Sequence, residues 1–502
     1  MQPQVLLFVL AGLIVAAELW QFRMSFPFDD AYITFRYAEN VATGHGVVWN
    51  IGGPPTEGYT NFLLVLALTP FAFFHVDEMV ISQIIGVVAT ILTAVVLFKF
   101  LASVGGPRTW AFGAAFLYLL LPYTWANAFN GLETSLFVLI VTSAFYFGIQ
   151  EEWRGAFIFA SLACLIRPEG ALAGVILGAS GIWTSQGRIE RVLALRAMLL
   201  YLVLPMALYG AFKLFYFGNL LPNSFYIKTG SGFHGIQNLK QFTLGNMILL
   251  AVAAYGLVRH AGHWRRLAPI ILWSLALVLF YTWPEPLQGF YDRFCWPAMP
   301  AIVALAALGV SREKWNVSSI VIFATLLGSQ AIFSIPRMRT EMSLATNERG
   351  RQIYRELGTA LHALPDHAHM TFAFQDAGAV PYFSEMKNID FVGLNTTAIA
   401  RAETTLQACA ELESVPPEIL LIPAYHDKGQ CWTVFTAGHG KAGALIPQLI
   451  HRPLMGRYIC AGRITYLGYD ILCFVLPRYA TEVTQELSSY TWFVPGPIPC
   501  LQ

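Results

Sequence analysis

Asp29 and Asp30 stand side by side in Phe28-Asp-Asp-Ala-Tyr-Ile-Thr-Phe-Arg-Tyr37, directly after the first apolar segment. An ionised carboxylate in hydrocarbon costs about 2.5–3.5 kcal/mol on insertion scales, so acids at the mouth of a membrane helix point to function. Within hydrogen-bond reach of a hydroxyl, such a group takes its proton as the oxygen attacks. Two adjacent acids oppose each other's ionisation, which raises one pKa and makes that group the better base. A sugar hydroxyl is a suitable acceptor for this chemistry. The structural alternative is that Asp29 caps the following helix by accepting its free backbone N–H groups. One aspartate suffices for a cap, which leaves the pair unexplained.

Cations complete the pattern. Asn130-Gly-Leu-Glu-Thr134 and Arg167-Pro-Glu-Gly170 each interrupt apolar sequence. Glu133 and Pro168 fit helix starts. Arg167, between short spans, needs an anion, and a phosphate would serve. Lys228 follows Leu220-Leu-Pro-Asn-Ser-Phe-Tyr226, and Arg293 lies in Tyr291-Asp-Arg-Phe294. Snorkelling, or pairing with a local acid such as Asp292, is their structural alternative. Charge and side of the membrane make Arg167, Lys228 and Arg293 the candidates to hold a donor phosphate, with the acids supplying the base. His45 and His75 have no partners at ligand spacing, so no metal site is expected. Walker and Rossmann glycine patterns are absent, which argues against a nucleotide-driven pump or a soluble nucleotide-sugar enzyme.

The elements that must position these residues follow from composition. The 502 residues are 56% hydrophobic and 12% charged, with a mean hydropathy of +0.55. That is about half the charged fraction of a soluble protein, and long apolar runs identify an integral membrane protein. Lys and Arg number 31 against 30 Asp and Glu, without the basic blocks that nucleic acid requires. Apolar segments cover roughly 4–21, 62–76, 80–98, 109–122, 135–149, 155–166, 170–185, 197–217, 243–258, 267–283, 295–310 and 316–335. The first is read as an uncleaved span. With 62–76 re-entrant or lying in the interface, the other eleven sort the short basic connections around Lys99, Arg154, Arg191, Arg265 and Arg312 to one side, cytoplasmic by the positive-inside rule. The loops carrying the acids, Arg167, Lys228 and Arg293 then share the opposite face.

Within the 23–61 loop, Tyr32, Ile33 and Phe35 read as the lipid-facing side of an interfacial helix, with Arg36 and Glu39 on its polar side. From Arg337 the character changes. His369–Phe374 and Ile419–Ile422 read as buried strands, Glu348–Leu364 as a helix and Tyr458–Leu476 as a strand pair. The expectation is a polytopic α-helical domain over 1–336 and an extracytoplasmic α/β domain over 337–502. Five of the seven cysteines (Cys409, Cys431, Cys460, Cys473, Cys500) fall in the latter, where one or two disulfides are expected if the compartment is oxidising. The lack of an internal repeat weighs against a transporter.

The stretch Asp29–Tyr37, continued by Gly44-His-Gly46, Asn50 and Glu57-Gly-Tyr-Thr-Asn61, resembles the signature of GT-C membrane glycosyltransferases akin to the mycobacterial terminal arabinofuranosyltransferases. Gly131-Leu-Glu-Thr134, Arg167-Pro-Glu169, Leu221-Pro-Asn-Ser-Phe-Tyr226 and Asp376-Ala-Gly-Ala-Val-Pro-Tyr382 match further blocks in the same order. The resemblance implies a polyprenyl-phosphate sugar donor, D-arabinofuranose for preference, and transfer on the extracytoplasmic face of a bacterial inner membrane. It implies that Asp29 or Asp30 is the catalytic carboxylate. It also implies that Arg36, His45, Glu57, Tyr59, Asn61, Glu133, Glu169, Asn223, Tyr226 and Asp376 line the substrate. The lipid phosphate is its own leaving group, so no cofactor is required and the sequence indicates no divalent cation. The chain is shorter than the mycobacterial enzymes, chiefly in its C-terminal part, which leaves a cell-envelope glycan or a pilin-like glycoprotein as acceptor. Transfer of a hexose or aminosugar, as in protein mannosyltransferase relatives, is the alternative, and a lipid-linked sugar transporter the more distant one.

Overall fold

Two acids in the first turn complement the helix dipole of α1, Asp29–Ala42. A computed structural model describes this helix and, in all, residues 28–498 and 501, apart from 186, 229–234, 261–263, 285–288, 311–316, 346–347, 427–431 and 436–439. The segment expected to span over 4–21 lies outside the described residues, as do Cys431 and Cys500. Helix α2, Phe62–Phe73, has 12 residues, or about 18 Å at 1.5 Å per residue. That falls short of a hydrocarbon core of about 30 Å, and Phe73 and Phe74 at its tip are 62% and 73% exposed. Asp77 then caps α3, Glu78–Ser103, accepting from Met79 N at 2.9 Å.

Helices α4 (Pro122–Phe129) and α5 (Thr134–Ile149) are an apolar pair bent by 115°. Next come α6 (Trp153–Ile166), α7 (Gly170–Thr184) and, after the apolar stretch Arg188–Phe217, the short α8 (Asn223–Lys228). Three helices among the described residues are long and apolar enough to cross a membrane, or five if each bent pair is one span. The expected eleven are not reached by that measure, because several apolar helices have only 10–17 residues. Helix α9, Val317–Ala345, runs through the expected domain boundary at 336/337.

Beyond α10 (Glu348–His362) lies a mixed sheet. Its strands are β1 (Thr371–Phe374), β2 (Lys387–Asp390), β3 (Ile419–His426), β4 (Trp432–Val434), β5 (Ile459–Thr465), β6 (Asp470–Val475) and β7 (Phe493–Pro495), in the order β2-β1-β3-β6-β5-β7 with β4 on β3. β1 pairs parallel to β2 and β3, and the other ladders are antiparallel. The period of two sends alternate residues to opposite faces. Ile419 and Leu421 join a core that continues through Ile353, Leu357 and Leu361 of α10 to Phe28 and Tyr291 in the helical part. Leu420, Ile422 and Ala424 instead meet Cys409, Leu412 and Ile446. The sheet is thereby fused to the helical part through one of its two cores. Cys409, Cys460 and Cys473 carry free thiols.

One expectation is corrected here. α1 does not lie against lipid: Tyr32, Ile33 and Phe35 are buried, and Tyr32 and Phe35 pack on Tyr382 of α11, Ala379–Ser384, with ring centroids 5.2 and 6.3 Å away. An amphipathic pattern says that the apolar face is covered, not by what.

Candidate active site

Three breaks in the helical pattern build the site. Between α4 and α5 the chain bends at Gly131, whose φ of +76° suits glycine, while Leu132 N donates to Asn130 Oδ1 at 2.9 Å. The bend turns Glu133 inward. Between α6 and α7, Pro168 excludes helical geometry from the residue before it, so Arg167 is extended (φ −150°, ψ 139°) and leaves the helix axis. In the third break, Tyr291 and Asp292 both adopt left-handed backbone (φ +57° and +53°), a strain of order 1–3 kcal/mol each. The surroundings hold them there. Tyr291 N donates to Glu341 Oε2 at 2.9 Å, Asn127 Nδ2 donates to Tyr291 O at 3.0 Å, and Arg337 grips Asp292 at 2.8 Å. The Phe28 ring stacks on Tyr291 at 5.4 Å. The strained turn aims Arg293 Nη2 at Asp30 Oδ2, 3.1 Å away.

The resulting cleft, about 80 Å³, is lined by Asp30, Thr34, Asn61, Glu133, Arg167, Lys228, Arg293 and Phe294 among others. Arg167 donates to Arg293 O at 3.2 Å and lies 3.7 and 3.5 Å from Glu133 and Glu169. Asn61 Nδ2 donates to Glu133 Oε2 at 3.1 Å and to Thr34 Oγ1 at 3.0 Å, fixing that carboxylate. All three cations gather on one ring: Phe294 lies 5.1 Å from the Arg167 guanidinium, 5.6 Å from Lys228 Nζ and 4.9 Å from the Arg293 guanidinium. Burial, then the charge of Arg293, pulls the Lys228 ammonium down to about 8, against the attraction of Asp30. Arg167 and Arg293 have carboxylate partners, whereas Lys228 forms no ion pair among the described residues.

The acid pair divides its labour. Asp30 lines the cleft. Asp29 points away, its Oδ2 and Oδ1 accepting from Gly378 N at 3.0 Å and Ala379 N at 2.8 Å. The capping role considered for Asp29 therefore falls on α11, since no side chain caps α1. Burial, then the charge of Asp376, pushes the Asp29 carboxyl up to about 8 against those two donors. Asp376 is itself raised to about 6 by burial, opposed by the bond from the Tyr354 hydroxyl. A Cβ at Gly378 would collide with the Asp29 carbonyl and carboxylate, so this approach needs glycine.

Of the other residues implicated by sequence, Tyr59, Asn61 and Glu133 line the cleft and Glu169 pairs with Arg167. Glu57 binds Lys213 at 2.9 Å, with its other oxygen lacking a hydrogen-bond partner among the described residues. Asn223 donates to Leu394 O and Thr397 Oγ1, both at 3.1 Å, and Tyr226 stacks under Arg401. His45 is exposed, with its ring Nδ1 2.9 Å from Thr43 Oγ1 and its backbone N donating to Asn40 O. Arg36, expected on a polar face, is 6% exposed. It donates to Trp49 O (3.0 Å), Pro381 O (2.5 Å) and Met386 O (2.8 Å), tying three segments together away from the cleft. Thr34, Ser224 and Phe294 line the cleft without having been singled out. Only the neighbouring Arg293 could have pointed to Phe294.

Residues 341–458 match a family model described as a domain of unknown function, DUF8728. No curated protein matches the sequence. Among solved structures, the chain is similar to ArnT from Cupriavidus metallidurans bound to undecaprenyl phosphate, with 12% identity, 93% of this chain and 97% of that one covered, and a TM-score of 0.58. The apo oligosaccharyltransferase of Archaeoglobus fulgidus follows with 13% identity, 83% and 69% coverage and a TM-score of 0.55. The oligosaccharyltransferase AglB from the same organism, in complex with an inhibitory peptide and a dolichol-phosphate, gives 12%, 83%, 69% and 0.54. Over 93% of its length the chain shares the fold of the Cupriavidus protein, and over 83% that of the Archaeoglobus one.

Proposed function

We propose that this protein is a membrane glycosyltransferase that moves a sugar from a polyprenyl-phosphate donor to an acceptor hydroxyl. The gathering of Arg167, Lys228 and Arg293 on one ring beside Asp30 carries this reading. Arg167 and Arg293 are compensated by carboxylates, which leaves Lys228 as the cation that a phosphate would pair with. In the transfer, Asp30 accepts the acceptor's hydroxyl proton, the oxygen bonds to the anomeric carbon, and the carbon–oxygen bond to the phosphate breaks. The departing phosphate takes the electron pair, and the cations stabilise its growing charge. The solved relatives in complex with undecaprenyl phosphate and dolichol-phosphate support a lipid-phosphate donor.

The motif resemblance supports D-arabinofuranose as the sugar, a cell-envelope glycan or pilin-like glycoprotein as acceptor, and the extracytoplasmic face of a bacterial inner membrane as the place. Purified protein is to be incubated with synthetic polyprenyl-phosphoryl-arabinofuranose and, separately, with hexose and aminosugar lipids. Arabinose transfer is expected. Transfer from the hexose or aminosugar lipid alone would reassign the sugar, and transfer from none would overturn the reading.

A further inference from the structure

At 3.6 residues per turn, Tyr32, Phe35 and Glu39 fall on the side of α1 opposite Asp30 and Thr34. That second side borders another cavity, of about 330 Å³, lined also by His75, Val76, Asp77, Glu78, Arg355, Tyr382 and Phe383. Its size lies in the range of small-molecule sites, roughly 300–1,000 Å³. Its chemistry is the reverse of the first. Three carboxylates, Glu39, Asp77 and Glu78, face one guanidinium and one imidazole, so an anionic lipid head group is disfavoured. Tyr32, Phe35, Tyr382 and Phe383 form a continuous aromatic wall with centroids 5.1–6.3 Å apart.

The Tyr382 hydroxyl lies 2.8 Å from Glu39 Oε1 and 3.2 Å from Glu78 Oε2. A phenol has one proton to donate, so the two carboxylates keep lone pairs for further donors. Rings that can cover an apolar C–H face, beside carboxylates that can accept from neighbouring hydroxyls, match the two sides of a sugar ring. Arg355, stacked 5.3 Å over Phe383 at the rim, already places a cation there, which leaves neutral hydroxyls as the complementary donors.

We propose that this cavity is a glycan subsite, binding a neutral stretch of the acceptor chain one helix width, about 10–12 Å, from the transfer point at Asp30. The assignment of the occupant as acceptor rests on the glycosyltransferase reading, but its binding does not require turnover. The test is binding of a neutral hexa-arabinofuranoside to the full chain in detergent, by saturation-transfer NMR and titration. Glu39→Gln weakens one acceptor, and Val76→Trp fills the cavity without removing any bond.

Glu39→Gln is expected to weaken binding about tenfold or more, the scale of one lost hydrogen bond, and Val76→Trp to weaken it by occupying the space, while Asp30→Asn binds as wild type. In turnover, KM for the long acceptor should rise by the same factor with kcat unchanged, and a monosaccharide acceptor should be unaffected. If no donor supports transfer yet Glu39→Gln and Val76→Trp still weaken binding, the subsite stands and the transferase reading fails. Absence of binding to wild type, binding only of an amine-bearing oligosaccharide, or loss in Asp30→Asn but not in Val76→Trp would each overturn the subsite.

Discussion

Asn at position 30 and Asn at position 29 differ by one residue in sequence and by opposite consequences in the structure. A positioned general base contributes about 10²–10⁴-fold, or roughly 2.7–5.4 kcal/mol of barrier at 1.36 kcal/mol per decade. Asp30→Asn removes that function but keeps an oxygen that can accept from Arg293 Nη2, now 3.1 Å from the carboxylate. The fold should therefore lose no more than about 1–2 kcal/mol, a hydrogen bond to a charged group being traded for a weaker one. Asp29→Asn retains one acceptor for the two N–H donors at Gly378 and Ala379. One donor is left unsatisfied, costing about 1–3 kcal/mol at the contact between α1 and α11. The cleft is untouched, so turnover by the folded fraction should stay within about threefold of wild type. Transfer from a labelled lipid donor, read alongside thermal unfolding in the same detergent, separates these effects. Turnover of Asp30→Asn near wild type, or loss of activity in an Asp29→Asn protein that melts like wild type, would refute the division of the pair.

Lys228, with its pKa pulled down to about 8, keeps its charge below that value and loses it as pH rises through it; KM for the donor should climb between pH 7.5 and 9, and Lys228→Arg should flatten the profile. Arg167→Met leaves Glu133 and Glu169 buried without their cation, a loss of about 3–5 kcal/mol that thermal unfolding will register, whereas Arg167→Lys should fold and show a raised donor KM. Gly378→Ala places a methyl against the Asp29 carbonyl and carboxylate; proteolysis should cut between α10 and β1 faster than in wild type, and activity should fall with it.

The grouping of the three cations was legible from sequence. Arg167, Lys228 and Arg293 were grouped by sorting loops between two faces, and the structure brings them to one ring. The distinct environments of Asp29 and Asp30 were not legible, because they depend on Gly378 and Ala379, about 350 residues away. Arg36 was read as a polar-face residue for the same reason: the carbonyls of Pro381 and Met386 that bury it belong to a distant segment. Strands β1, β3, β5 and β6 were readable because a short apolar run is a local signal, whereas the short β2, β4 and β7 were not singled out. The span count was not, because short apolar helices and bent pairs blur the relation between an apolar run and a crossing.

The bonds from Asp29 and Arg36 to residues 378–386 join positions 345 to 350 residues apart, which sets a timetable for biogenesis. At about 5–20 residues per second of synthesis, α1 waits roughly 20–70 s on the ribosome before its partners exist. Through that interval Arg36 lacks two of its carbonyl acceptors, Asp29 lacks both of its N–H donors, and the Tyr32 and Phe35 rings lack Tyr382. The last residue of the cleft lining to be made is Leu394, beyond α11. A chain cut short before Gly378 would leave Asp29 and Arg36 without these partners.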